Sequence, residues 1–466
     1  MFLDIDLKPR ATVACIDDSG ETLTYGDLCS FCEEFDKQIG HRTLIFILAQ
    51  NCNASLLGYV AALNNHIVPL VISSNTDKEL YGRFVTMYSP EYIWAPRDLE
   101  NLQGYEICYS NRDYSLYRTG LTSPALHPDL SMLLPTSGST GSPKLVRHSY
   151  LNLEANATNV GGIFKIDENH RTMAVLPMHY TMGRSVIDSH LKAGAILLLC
   201  KKSLLDNVFW KRLKEERATS FTGVPYSFEI LTKMRFQHMD LPDLQIITQG
   251  GGKLSEDLFQ SLATYAQDKG KQFIATYGQT ECSARMAYLP AVLAMDKTCS
   301  IGIAEPNTRL SIIDENGVET FEGEATGEMV FRGENVTMGY AVCAEDLLKG
   351  DENNGVMYTG DVARRDTDGC YFIIGRMKRF LKIFGLRIAL DEIENLVKSS
   401  FKNTDIVCSG TDEVLKVFVT NKKEIDAIKE FISEKTHLFH KNIKIMHIEV
   451  IPRNEAGKIL LNQLNN

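Results

Sequence analysis

A chain of 466 residues, 44% hydrophobic and 23% charged, has room for about two to four domains and a large buried core. Its formal net charge of -10 argues against nucleic acid as the main partner, because phosphate neutralisation needs clustered Lys and Arg. No apolar run approaches the roughly twenty residues that cross a bilayer, and eleven cysteines without framework spacing argue against a disulfide scaffold and for a reducing, cytoplasmic compartment.

In chain order, Met1 to Arg10 alternates apolar and acidic residues and lacks the basic start and apolar stretch of a secretory signal, so export is not expected. Tyr25 to Gly40 reads as a helix on which Cys29 and Cys32 share a face, a spacing that favours buried packing over redox or metal work. Leu44 to Ser73 reads as strand, helix (Ala54 to Leu63) and strand, the βαβ grammar of a parallel sheet. An apolar strand end then runs into LLPTSGSTGSPK, Leu133 to Lys144. Gly138 and Gly141 let the backbone approach a ligand, Thr136, Ser137, Ser139 and Thr140 offer hydroxyls, and Lys144 adds charge, which together make a phosphate-gripping loop. Pro143 before the lysine and Leu145 after it break the Walker pattern, which argues against a P-loop ATPase or kinase.

A helical segment follows at Tyr150 to Asn159. The βα grammar resumes with strands at Ala195 to Leu199, Ser220 to Val224, Gln245 to Thr248 and Gln272 to Tyr277. From Ile301 to Arg379 the strands shorten and turns multiply, predicting a β-rich subdomain. After Arg376 comes a compact α+β tail, with helices at Asp391 to Ser399 and Glu424 to Lys435 and strands near Val414 to Val419 and Ile443 to Val450. The fold class is therefore α/β: a large N-terminal domain of parallel-sheet subdomains plus a β-rich subdomain, then a small α+β domain. With no low-complexity linker, the boundary near residue 378 is a tight hinge.

The loop at Leu133 to Lys144 resembles the phosphate-loop signature of the acyl-adenylating, AMP-forming superfamily of acyl-CoA synthetases, adenylation domains and firefly-type luciferases. Further matches follow in that family's order. QFIATYGQTE, Gln272 to Glu281, resembles its second core motif, implying that Tyr277 stacks on adenine, that Gly278 and Gln279 also belong to the ATP site, that Thr280 contacts the α-phosphate region, and that Glu281 binds magnesium. The residue types suit those tasks: a flat ring for a flat base and a hard carboxylate for a hard cation. QGGGKL, Gln249 to Leu254, resembles the loop whose backbone at Gly251 and Gly252 lies along adenine. GEMVFRGENVTMGY, Gly327 to Tyr340, resembles a structural motif that needs no catalytic role. YTGD, Tyr358 to Asp361, resembles the ribose clamp through Asp361.

GRMKRFLKIFGLRIALDEIE, Gly375 to Glu394, resembles the domain junction. It implies that Arg376 reaches the ribose, that Lys378 is the hinge dividing residues 1–377 from a mobile 378–466, and that Gly385 lies on the loop lining a thiol tunnel. RNEAGKI, Arg453 to Ile459, implies that Lys458 is the catalytic cation of adenylation. LPMHYTMGRSVIDSHLKAG, Leu176 to Gly194, resembles the acyl- and aryl-CoA ligase version of the acid pocket, with His179 at its mouth and Gly183 beside it. It lacks the aspartate that amino-acid adenylation domains place there, so a non-amino acid is expected. Arg184 either pairs with a second substrate carboxylate or lies on the surface. Leu145 and Arg147 depart from the family's usual glycine and apolar residue, a change expected to alter the turn that follows.

The resemblance implies a ligase that uses ATP and Mg2+ to make acyl-AMP, releases pyrophosphate and passes the acyl group to coenzyme A or a carrier-protein phosphopantetheine. The partners are then a carboxylic acid and an acyl carrier protein as one option, with no membrane insertion. The alternative is a catalytically reduced nucleotide-binding sensor or scaffold, against which the presence of Glu281, Asp361 and Lys458 weighs.

Overall fold

The computed structural model describes residues 1–135, 144–377, 379–383, 386–411, 413–436, 438–454 and 459–465. Among these, five sheets of nine, eight, five, three and two strands carry the architecture. The expected βαβ unit is present: Leu44–Ala49 and Val68–Ser73 pair in parallel from Leu44↔Val68 to Ala49↔Ser73. The helix between them, Asn53–Asn64, is buried on nearly every residue. Its sequence is apolar on all sides, as a helix held between layers requires.

The second sheet places Ser220–Gly223, Ile246–Gln249 and Gln272–Tyr277 side by side and parallel. All three strands end at the same edge, so the loops that follow them cluster there, where open α/β sheets bind ligands. The β-rich segment forms the five-stranded antiparallel sheet, in which Val356–Arg365 pairs with Tyr371–Arg376 and sets Asp361 opposite Arg376. The tail has its own core, including Leu381, Ile393, Val397, Val417 and Ile432.

Three features depart from the sequence reading. The first two sheets are mixed, because hairpins such as Leu130–Pro135 with Leu145–Ser149 add antiparallel strands that need no helical crossover. The junction stretch forms a hairpin, Phe380–Ile383 with Leu386–Ala389. In the tail, Ile406–Gly410, too short to stand out, pairs with Leu415–Val419. All eleven cysteines are free thiols, with Cys29 and Cys32 buried on the helix Tyr25–Ile39. No helix among the described residues is long and apolar enough to cross a membrane.

Arg147 does more than alter a turn. Its side chain is fully buried and donates to the carbonyls of Met338 (2.8 Å), Tyr340 (3.1 Å), Gly350 (3.1 Å) and Lys349, and pairs with Glu352 at 2.5 Å. One guanidinium thus gathers carbonyls from both ends of the segment 338–352, in which strand pairing is limited to Tyr340 and Ala341. Arg147→Met is expected to cost about 3 kcal/mol, because four carbonyls lose a buried donor and Glu352 loses its nearest cation; a denaturant midpoint equal to wild type would contradict this.

Candidate active site

At the end of the Gln272–Tyr277 strand the chain makes a close turn. A side chain at Gly278 would place its Cβ 1.5 Å from the Ala284 carbonyl oxygen, so only glycine fits. Ser283 and Ala284 both adopt positive φ, 55° and 122°, a strained return that the surroundings must hold in place. Asn335 does so by donating to the carbonyls of Cys282 and Arg285, each at 3.1 Å.

The side chains leaving this turn reach three parts of the fold. The Tyr277 phenol donates to Asp361 Oδ2. Gln279 Nε2 lies 3.0 Å from the Tyr277 oxygen, the Thr359 carbonyl and Asp361 Oδ2. Thr280 Oγ1 meets Thr181 Oγ1 at 2.9 Å, at the start of the helix Thr181–Ala193. The Glu281 carboxylate accepts from the Tyr340 hydroxyl at 2.8 Å, and its backbone carbonyl accepts from Thr337 N and Oγ1 at 3.0 and 2.9 Å. The 327–340 motif thereby fixes Glu281, a role the sequence reading left as merely structural. Lys144, at the close of the phosphate-loop motif, places Nζ 3.2 Å above the Tyr340 ring.

Asp361 is 2% exposed. Arg376 Nε stands 2.9 Å from its Oδ1 as an ion pair, yet that oxygen has no aligned hydrogen bond. Burial and the Asp361 charge push the Tyr277 phenol well up, so it stays a donor. The loop Gln249 to Gly252 closes on itself through Gln249 Nε2 to the Gly252 carbonyl at 2.6 Å. A bond from Thr276 Oγ1 to the Gln249 carbonyl, 2.9 Å, fastens it to the neighbouring strand.

Tyr277, Gly278, Gln279, Thr280, Glu281, Asp361 and Arg376 therefore converge at one sheet edge, with Gly251 and Gly252 on the adjacent loop. Half-buried His179 packs against Tyr180 with centroids 4.5 Å apart and ring planes tilted by 42°. Burial pulls its pKa down to about 4, so it is neutral at pH 7. Gly183 is buried where a Cβ would meet the Pro177 carbonyl oxygen at 2.2 Å, so it serves close packing of helix on loop. Thr136, Ser137, Gly138, Ser139, Thr140, Gly141, Lys378, Gly385 and Lys458 lie outside the described residues.

Arg184 corrects the surface reading: it is 1% exposed and its carboxylate partner is Asp188, one turn along the same helix. The Tyr59 hydroxyl donates to Asp188 at 2.9 Å. A second buried pair of ionisable residues, Arg285 and Glu305, escaped the sequence reading, which had no signal for it beyond two charges in an apolar context. Glu305 Oε1 accepts from Asn335 Nδ2 at 2.7 Å while Oε2 has no partner. Burial raises its pKa to about 8.

The AMP-binding enzyme family matches residues 6–341 of the chain. Indoleacetate–CoA ligase of Aromatoleum aromaticum is 28% identical over 351 residues, 72% of this chain and 67% of that protein. Long-chain-fatty-acid–CoA ligase of Haemophilus influenzae is 27% identical over 365 residues, 74% and 63% of the two chains. These alignments span about two thirds of the relatives' lengths. In three dimensions the chain resembles O-succinylbenzoate coenzyme A synthetase (MenE) from Bacillus subtilis, solved with ATP and a magnesium ion. The TM-score is 0.78 at 17% identity, over 100% of this chain and 99% of that one, and establishes a shared fold.

The Glu305 carboxyl sets a pH dependence. Its usual pKa is 4.5 and its folded value about 8, so between these the folded state keeps a proton that the unfolded chain has released, and rising pH favours unfolding. Its contribution is complete below pH 4.5 and lost above 8. Glu305→Gln, which keeps the Asn335 bond, should flatten the fall in unfolding free energy between pH 5 and 8; identical slopes for both proteins would count against it.

Proposed function

Because the chain belongs to the AMP-binding enzyme family, we propose that it is an AMP-forming acid–thiol ligase: it activates a non-amino carboxylic acid as acyl-AMP, releases pyrophosphate and transfers the acyl group to a pantetheine thiol. The observation that carries this reading is the meeting of Thr280, Glu281 and Asp361 at one sheet edge, with Lys144 and Glu281 both against Tyr340. The relatives named CoA ligases support the thiol as acceptor; coenzyme A is the first choice and a carrier-protein phosphopantetheine the second. A catalytically reduced scaffold is not favoured, since the relatives this chain matches are named as ligases.

Attack of a carboxylate on the α-phosphorus of ATP brings two anions together, so the site must offset charge before the bond forms. Lys144 and the backbone of the 136–141 loop would grip the phosphates, and Lys458 would supply a cation from the small domain. Glu281, a carboxylate with one described hydroxyl donor, fits a hard cation that takes a single protein ligand and fills its shell from phosphates and water. Mg2+ held there would neutralise phosphate charge. Tyr277, its phenol tethered to Asp361, has a fixed ring plane for adenine, while the unbonded Oδ1 of Asp361 is an acceptor for a ribose hydroxyl beside Arg376. Neutral His179 can border the acid without adding charge.

The division into 1–377 and 378–466, with rotation about Lys378 between half-reactions, is supported by the separate core of the tail. The exposed ion pair Lys402–Asp257, 2.8 Å, joins tail to large domain, and such pairs hold weakly enough to permit rotation.

The test is pyrophosphate release with ATP, Mg2+ and a panel of carboxylic acids, followed by thioester formation with coenzyme A or a carrier protein. Glu281→Gln should slow adenylation on the order of a hundredfold and raise the magnesium requirement; an unchanged magnesium titration removes Glu281 from the metal site. Lys458→Ala should suppress acyl-AMP formation by a similar factor, about a hundredfold, while sparing thiolation of preformed acyl-AMP. Adenylation at the wild-type rate would show the assignment to be wrong.

A further inference from the structure

Arg285, four residues past Glu281, is 2% exposed. It donates from Nη1 to Ser185 Oγ at 3.0 Å, and its guanidinium carbon lies 5.2 Å from the centre of the Phe164 ring. Nε and Nη2 are buried and have no hydrogen-bond partner. These two nitrogens form one edge of the guanidinium fork, the edge that receives a carboxylate through two parallel hydrogen bonds. Asp188 is paired with Arg184, while Glu305, near enough to act on Arg285 through its charge, takes the Asn335 bond on Oε1, leaves Oε2 unbonded and makes no hydrogen bond to this edge. A guanidinium taken out of water without a hydrogen-bonded counter-anion is costly, so the fold retains a charge whose partner comes from elsewhere.

Arg285 lines a cavity of about 10 Å³ with Val186, Ser189, His190, Thr222 and Thr248. That volume holds about one water, so a carboxylate with its two oxygens enters only where the lining side chains give way. Its place relative to the site follows from the helix Thr181–Ala193. Thr181 bonds Thr280, and Met182 lies against the glycine loop, where a Cβ on Gly250 or Gly251 would come within 3.0 or 3.1 Å of its methyl. Val186 and His190 follow one and two turns further on, roughly 7 to 13 Å from Thr181 at the usual helical rise. On the sheet side, Thr222 and Thr248, bonded to each other at 2.8 Å, directly precede Gly223 and the Gln249 to Gly252 loop. The cavity thus lies between the helix Thr181–Ala193 and the face of the nine-stranded sheet, running from Thr222 and Thr248, next to the glycine loop, down to Ser220, Ile246 and His170.

We propose that the acid is a dicarboxylate, activated at one end by the Thr280 and Glu281 site and held at the other by the Nε–Nη2 edge of Arg285. This rests on the ligase reading above. Burial keeps His190 neutral, with a pKa near 3 and its Nδ1 on the Val186 carbonyl at 2.8 Å, so Arg285 supplies the charge that selects the far group.

The experiment uses the full chain and a length series of unbranched acids, each as the monoacid and the α,ω-diacid, with two readouts: pyrophosphate release and thermal stabilisation without ATP. A diacid of matching length should exceed its monoacid by at least about tenfold in kcat/KM and should alone stabilise the protein. Arg285→Met should bring the diacid down to the level of the monoacid, and Arg285→Lys, a charge without the planar edge, should keep part of the preference. Equal use of monoacid and diacid at every length by the wild type overturns the proposal whether or not either variant folds. Diacid stabilisation that Arg285→Met abolishes, without pyrophosphate release from any acid, sinks the ligase reading and upholds the Arg285 site. No stabilisation by any diacid overturns the site. Equal stabilisation by chloride or inorganic phosphate identifies a free-anion site and overturns the substrate assignment.

Discussion

The structure depends on how the chain leaves one strand. After Tyr277 the backbone must pass Gly278 against the Ala284 carbonyl, and within five residues it commits four side chains in three directions. Tyr277 and Gln279 go to the five-stranded sheet, Thr280 to the helix Thr181–Ala193, and Glu281 to Tyr340 at the edge of the eight-stranded sheet. The nine-stranded sheet is tied to its neighbours through the groups proposed for the chemistry. Holding the site rigid and holding the sheets together are therefore one task.

Buried charge is the second theme, and its treatment differs by position. Arg147 is fully answered by four carbonyls and a glutamate, so it stiffens the segment that carries Tyr340. Arg184 is answered by Asp188, which also takes the Tyr59 hydroxyl, making the helix Thr181–Ala193 a firm inner wall. Arg285 is answered by a serine hydroxyl, a ring face and the nearby but unbonded Glu305, which leave one edge of its guanidinium without a hydrogen bond. Since desolvation penalises every charge alike, the unequal partnership separates structural arginines from one kept for a ligand.

The tail offers a contrast. It has its own core, and one of its ties to the large domain, the pair of Lys402 and Asp257, is exposed, where solvent screens it. A body built this way can fold as a unit and still change its seat, which a ligase with two half-reactions in one cleft requires.

The sequence by itself determined the strands and their class. Apolar runs such as LIFIL and IVPLVI, separated by a helical pattern, have few alternatives to a parallel pair, and glycines at 250–252 and 278 mark places where backbone must pass close to something. The order of the motifs carried the family, and with it the fold. Tertiary structure alone decided the partners. That Tyr340 would reach Glu281 across 59 positions, that Arg147 would turn inward to carbonyls near 340 and 350, and that Arg184 would be spent on Asp188 while Arg285 was not, are outcomes of packing. Local periodicity records which face of an element is buried, but it is silent on which side chain from another sheet will stand opposite a charge, and for a buried charge that neighbour settles whether it holds the fold together or waits for a ligand.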